Sequence, residues 1–129
     1  MVLVTGGAGF IGSHVCEALL AKGEKVRVLD NLASGKRSNV ESLDVELIVG
    51  DIRSDSDLDK ALEGVNAVIH LAAEPSVAKS VEDPVSTHEI NYTGTLKVLE
   101  AMRRSGVRRI VYASSAAIYT PNSDEPHTE

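Results

Sequence analysis

Apolar residues along this chain fall into short unbroken runs, each followed by a turn and then by a stretch where they recur every three to four positions. The runs predict strands buried on both faces, and the recurring stretches predict helices packed against them. Strands are expected at about Met1–Thr5, Lys25–Leu29, Val45–Val49, Ala67–Leu71 and Arg109–Ala113. A first helix should run from about Phe10 to Lys22, with Ile11, Val15, Ala18 and Leu19 on one face and Gly23 placed to end it. A second opens near Ser54, turns Leu58, Ala61 and Leu62 inward and stops at Gly64. A long third helix, roughly Val85–Arg104, separates the last two strands. At 100° per residue it gathers Thr87, Ile90, Asn91, Gly94, Thr95, Val98, Ala101 and Met102 into one stripe. Asn31–Asn39 reads as a polar, flexible loop. The tail Thr120–Glu129, rich in Pro, Asp, Glu and Asn, should be mobile or ordered only by contacts.

Strand alternating with helix implies an α/β fold, a doubly wound parallel sheet with right-handed crossovers and strand order 3-2-1-4-5. In such a sheet ligands sit beyond the carboxyl ends of the strands. The first of those ends carries the most informative motif. Val2-Leu3-Val4-Thr5 runs into Gly6-Gly7-Ala8-Gly9-Phe10-Ile11-Gly12, which satisfies Gly-x-Gly-x-x-Gly between a strand and a helix. The first glycines permit a tight turn, Gly9 lets backbone amides approach a pyrophosphate, and Gly12 lets helix and strand pack closely. The helix start then offers N–H groups and the positive end of its dipole to phosphates. Asp30 stands at the end of the second strand, 18 residues past Gly12, close to the roughly 20 expected of a carboxylate on the adenosine ribose. A dinucleotide site of the Rossmann type is the reading these residues support over a merely structural turn. A carboxylate accepts from a ribose 2′-hydroxyl and repels a 2′-phosphate, so NAD is favoured over NADP. Lys36 and Arg37 would soften that preference only if they turned out of solvent.

Composition narrows the classes further. At 129 residues the chain is one domain's worth, and it is 43% hydrophobic but only 3% aromatic, as Val-, Ile-, Leu- and Ala-rich layers require. A formal net charge of −6 argues against nucleic acid or an anionic membrane surface as partner. No apolar run approaches the ~20 residues of a membrane span, and the glycine-rich start is no signal peptide, so the cytoplasm is expected. The single cysteine, Cys16, lies on the first helix as a small buried hydrophobe rather than a nucleophile. His14, His70, His88 and His127 show no metal-ligand spacing, and no metal site is expected; His70, within the fourth strand, reads as a satisfied core or edge residue. Arg103, Arg104, Arg108 and Arg109 read as charges suited to the negative end of the long helix. Asn91 sits in the sheet-facing stripe, where an amide must find partners, through a backbone tether, a place around the cofactor, or both. Tyr92, Leu96 and Leu99 form a second apolar patch on the opposite side of that helix, either scattered exposed hydrophobes or an interface.

The chain resembles the N-terminal part of an extended short-chain dehydrogenase/reductase of the NAD-dependent epimerase/dehydratase family, nearest its UDP-glucose 4-epimerase-like members. The likeness is carried by Thr5-Gly6-Gly7-Ala8-Gly9-Phe10-Ile11-Gly12-Ser13-His14, Asp30-Asn31-Leu32, Gly50-Asp51-Ile52-Arg53 and His70-Leu71-Ala72-Ala73. It continues through Ser80-Val81-Glu82-Asp83-Pro84, Asn91-Tyr92-Thr93-Gly94-Thr95 and Tyr112-Ala113-Ser114-Ser115-Ala116-Ala117-Ile118-Tyr119. These pieces span nearly the whole chain in the family's order.

The resemblance implies a partial NAD-binding Rossmann domain over 1–119, followed by the tail 120–129, lacking the later strands and the substrate lobe. Gly6, Gly9, Phe10, Ile11 and Gly12 would face the pyrophosphate, with Phe10 and Ile11 offering backbone amides. Asp30 and Asn31 would lie at the ribose, and Asp51 and Ile52 beside the adenine. Leu71, Ala72 and Ala73 would line the middle of the cofactor, with Asn91 and Ser114 completing its surround. Ser115 would be the catalytic serine; residue type alone favours a polar strand end bonding local backbone. Two features depart from the family pattern. No Tyr-x-x-x-Lys follows Ser115 up to Glu129, and Thr120 stands where Gly is common. The implied activity is nucleotide-sugar epimerisation through transient oxidation to a keto intermediate, with the fragment itself inactive for want of the Tyr and Lys. A reductase or dehydratase of the same fold is the nearest alternative, and a non-catalytic NAD(H)-binding module a more distant one. Dehydratases of the family place Asp-Glu after the equivalent serine, where this chain has Ala116 and Ala117. A homodimer through the long helix, or a self-associating fragment, is also implied.

Overall fold

A computed structural model describes residues 1–115 and 118. Five strands, β1 (Val2–Thr5), β2 (Val26–Asp30), β3 (Val45–Val49), β4 (Ala67–His70) and β5 (Arg109–Tyr112), form one parallel sheet in the order β3-β2-β1-β4-β5. This is the doubly wound arrangement the alternation predicts, with strand ends within one residue of the expected ones. The helices are α1 (Phe10–Ala21), α2 (Asp55–Leu62), α3 (Val77–Glu82), α4 (Pro84–His88) and α5 (Thr95–Ser105); a π-helical turn, Glu89–Gly94, joins α4 to α5. The tail 120–129, and with it Ala116 and Ala117, lies outside the described residues.

Two cores flank the sheet. Leu3, Leu29 and Val68 pack with Leu58, Ala61 and Leu62 of α2 and Val98, Ala101 and Met102 of α5. On the other face Val4, Val26 and Val28 pack with Cys16 of α1. Burying each large aliphatic side chain contributes about 1.5–3 kcal/mol. β2 has strands on both edges and is buried along its whole length, whereas among the described residues β5 pairs only with β4 and is largely exposed. Cys16 is fully buried, and burial pushes its thiol up to about 11, in keeping with an inert hydrophobe.

Three expectations need correction. The inward face of α1 is Gly12, Ser13 and Cys16, flanked by half-buried Val15, Leu19 and Leu20, while Ile11 is 66% exposed and Ala18 faces solvent. The cause is Gly12: a Cβ there would stand 2.2 Å from the Gly6 carbonyl oxygen, so this glycine must face the turn. Backbone contact sets the rotation of α1, and the larger apolar residues follow. The long helix is also not one α-helix, because its ladder widens to a π turn around Asn91. Thr95 donates its hydroxyl to the Asn91 carbonyl at 2.7 Å, offering that oxygen a side-chain partner. The stripe survives, with Gly94, Val98, Ala101 and Met102 buried, and Gly106 (φ 73°) ends the helix in the left-handed conformation. Third, the segment 31–39 is pinned. Lys36 N–H and the Asn39 side chain both donate to the Ala8 carbonyl, at 3.0 and 2.8 Å, and Arg37–Asn39 winds into a 3-10 turn.

Candidate cofactor site

The carboxyl ends of β1 and β2 build the first part of the site. β1 leaves the sheet at Gly6, whose φ of +71° and whose contact with the Ala72 backbone exclude a side chain. The chain then turns through Gly7, Ala8 and Gly9 into α1. Gly9 is the N-cap and no side chain caps the helix, while Phe10 and Ile11, its first residues, are 78% and 66% exposed. The other α-helices after loops are treated differently. Ser54 caps α2, Ser76 caps α3 and Asp83 caps α4, each accepting from a first-turn amide. The start of α1 is thus a helix end whose amides have no side-chain cap, beside a turn whose one side chain, the Ala8 methyl, is fully buried and obstructs no approaching group. Those are the features a pyrophosphate requires.

Asp30 is 8% exposed and held at both oxygens: Oδ2 accepts from Ala8 N–H at 2.9 Å and Oδ1 from Leu32 N–H at 2.8 Å. A carboxylate has about four lone-pair positions, so acceptor capacity for a diol remains. Leu32 adopts φ 58°, an uncommon conformation for a branched residue, which brings its amide back to Asp30. Gly35 lies so close that a Cβ there would stand 2.9 Å from Asp30 Oδ1.

Asp51 is more fully engaged than expected. Arg53 donates to it from its backbone N–H and from two guanidinium nitrogens, and Asn31 Nδ2 donates at 3.0 Å. The Arg53 hydrogen bonds, above all, hold this carboxyl far below the usual carboxylate range. With four donors its acceptor positions are filled, so an adenine amino group would have to displace one of them. Ile52 is 6% exposed and turned into the core, where its Cδ1 would lie 2.6 Å from a Cβ at Gly94. Its side chain therefore belongs to the packing between this loop and the π turn.

The ends of β4 and β5 form the other part. Leu71 and Ala72 are half-buried and Ala73 exposed. Asn91 clamps the next residue, accepting from Glu74 N–H at 2.8 Å and donating to its carbonyl at 3.0 Å, so the backbone tether is the observed role. Ala113 N–H donates to the His70 carbonyl at 3.2 Å, which carries Ser114 and Ser115 onto the same rim; both are exposed. His70 is a satisfied core residue, 2% exposed, between Thr5 and Thr95. From sequence, no role in the site fell to Thr5, Thr95, Gly35 or Arg53. An inward-facing Thr closing an apolar strand was the available signal for the first; Thr95 and Gly35 depend on distant contacts with His70 and Ala8, whereas Arg53 acts locally, two residues from Asp51. Among the described residues no three His, Cys, Asp or Glu converge as a metal site.

The model of the NAD dependent epimerase/dehydratase family matches residues 2–129. The chain belongs to that family. It is 40% identical over 136 residues to the UDP-glucose 4-epimerase of Klebsiella pneumoniae, covering 99% of this chain and 98% of that one. Against the Yersinia pestis UDP-glucose 4-epimerase the identity is 42%, over 99% of this chain but 40% of the relative. The fold superposes on the Thermus thermophilus UDP-glucose 4-epimerase in complex with NAD with a TM-score of 0.91 and 48% identity, covering 99% of this chain and 42% of that structure. The chain therefore spans about two-fifths of the length of the last two. NAD is the family's cofactor, and the glycine cradle, the uncapped α1 start and Asp30 fit it. No helix among the described residues is long and apolar enough to cross a membrane.

Proposed function

We propose that this chain is the NAD-binding part of a nucleotide-sugar epimerase that works by transient oxidation of the sugar to a ketone. The observation that carries the reading is the side-chain-uncapped start of α1 beside the glycine turn, with Asp30 locked to the same turn through Ala8. In this reading the Phe10 and Ile11 amides hold the pyrophosphate, with Gly6, Gly9 and Gly12 keeping its approach open. Asp30 accepts from the adenosine ribose, with Asn31 beside it. Asp51 and the Ile52 backbone border the adenine. Leu71, Ala72 and Ala73 pass along the middle of the cofactor, with Asn91 and Ser114 near its far end. NAD bound there would supply a reversible acceptor for the hydrogen on the sugar carbon. Ser115, exposed beyond β5, would hydrogen-bond the reacting sugar oxygen. The proton itself needs a base poised near neutral pH, such as a tyrosine beside a lysine ammonium, which residues 1–129 do not carry in the family's spacing. Ala116 and Ala117 after Ser115 favour epimerase or reductase chemistry over dehydration.

The reading also carries a cytoplasmic location and self-association. Tyr92, Leu96 and Leu99 are 65%, 51% and 44% exposed, forming a face suited to a second copy. Sedimentation at micromolar concentration should find more than monomer, and Leu96→Lys should lower the association.

Calorimetric titration tests the cofactor. NAD should bind more tightly than NADP, and Asp30→Ala should weaken NAD about tenfold or more while affecting NADP less. Equal or tighter NADP binding by the unmodified chain overturns the assignment.

A further inference from the structure

A buried chain of polar side chains runs beneath the rim, joining the end of β1 to the π turn. Thr5 Oγ1 and His70 Nδ1 lie 2.6 Å apart, and His70 Nε2 lies 3.0 Å from Thr95 Oγ1. Its direction follows from the two ends. Thr95 gives its hydroxyl hydrogen to the Asn91 carbonyl at 2.7 Å, so toward His70 it accepts, and Nε2 carries the ring proton. At the other end Thr5 Oγ1 accepts from the Leu71 and Ala72 backbone amides, both at 3.3 Å, which leaves its own hydrogen for Nδ1. Both ends demand the same neutral tautomer. Burial of the ring, which pushes its pKa down, agrees.

What the chain connects gives it a purpose. The Leu71 and Ala72 amides open the segment assigned above to the middle of the cofactor. That segment is held again at Glu74, whose N–H donates to Asn91 Oδ1 and whose carbonyl accepts from Asn91 Nδ2. Asn91 sits in the π turn, and widened turns of this kind recur at functional sites. One end of the chain therefore fixes the start of 71–74, and the other end fixes the turn whose asparagine fixes its finish.

We propose that Thr5, His70 and Thr95 are positioning residues for NAD, their one-way hydrogen-bond chain setting where the Leu71–Glu74 backbone stands against the cofactor. This rests on the NAD reading above; none of the three is placed in contact with NAD.

The test uses the whole chain and calorimetric NAD titration. Thr5→Val and Thr95→Val keep the shape and delete the hydroxyl, and each should weaken NAD about tenfold. Thr5→Ser and Thr95→Ser restore it and should bind within about twofold of the unmodified chain. Amide exchange at Ala72 and Glu74 should quicken in the Val variants and not in the Ser variants. A purely structural role would lower Tm in the Val variants while leaving NAD affinity, measured well below Tm, unchanged; that result overturns the proposal. Failure of the unmodified chain to bind NAD would instead overturn the reading beneath it. Independently of ligand and of any variant, ¹⁵N shifts must report His70 as neutral and protonated on Nε2 at about pH 7.5. A ring protonated on Nδ1, or a cation, would refute the assignment.

Discussion

The two halves of the carboxyl rim are built to different degrees. Around β1 and β2, the turn, the carboxylate and the following loop hold one another: Ala8 donates to Asp30, and its carbonyl receives Lys36 and Asn39. Around β4 and β5, Val111 and Tyr112 are 64% and 59% exposed, and Ser114 and Ser115 lie open. The difference follows from position in the sheet. β2 lies between two strands and under helices on both faces, so its end is anchored from every side, while β5 has one neighbouring strand among the described residues. The first half rests on hydrogen bonds that tie Ala8 to Asp30, Lys36 and Asn39, with Gly6 set against the Ala72 backbone. The rim at β1 and β2 is thus the more firmly held of the two.

The comparison breaks most readily at Gly12. Gly12→Val would drive side-chain atoms into the Gly6 carbonyl, with no flexible neighbour to yield. It should cost about 3 kcal/mol or more and abolish NAD binding, read by urea denaturation and calorimetry. If binding persists at full affinity, the turn is not the cradle.

A smaller effect is expected at Asp51, through pH. Its folded pKa is depressed, chiefly by Arg53, so its contribution is present above the unfolded value of about 3.9 and is lost as pH falls through the folded pKa. At pH 7, Asp51→Asn should destabilise by about 1–2 kcal/mol, the scale for a partly exposed, charge-assisted pair. The gap to the unmodified chain should narrow by pH 3. A constant gap at both pH values would mean that Arg53 does not stabilise the carboxylate.

The smallest effect sharpens the contrast between helix starts. Ser54→Ala removes the α2 cap and should cost about 1 kcal/mol of stability with NAD affinity unchanged. Loss of NAD affinity there would mean that the α2 start also serves the ligand.

Much of this molecule was legible as sequence, because the deciding physics is local. Strand-length apolar runs, Gly-x-Gly-x-x-Gly and Asp30 at a strand end mark the sheet order and the dinucleotide half of the rim without any distant contact. Ser54 before Asp55–Leu62 likewise announces its own helix. What the sequence could not settle were features made by three-dimensional contacts that neither periodicity nor spacing encodes. Hydrophobic periodicity turned α1 toward Ile11, but the Gly12–Gly6 contact turned it toward Cys16. Asn31, 20 residues away, joins Arg53 on the Asp51 carboxylate, a pairing that only the fold makes. Thr5 and His70 stand 65 residues apart, and the tautomer that joins them exists only once β1 and β4 pair in register. Local spacing determines where backbone amides and a carboxylate will stand; the direction of a buried hydrogen bond is decided by whichever donor and acceptor the fold brings to its two ends.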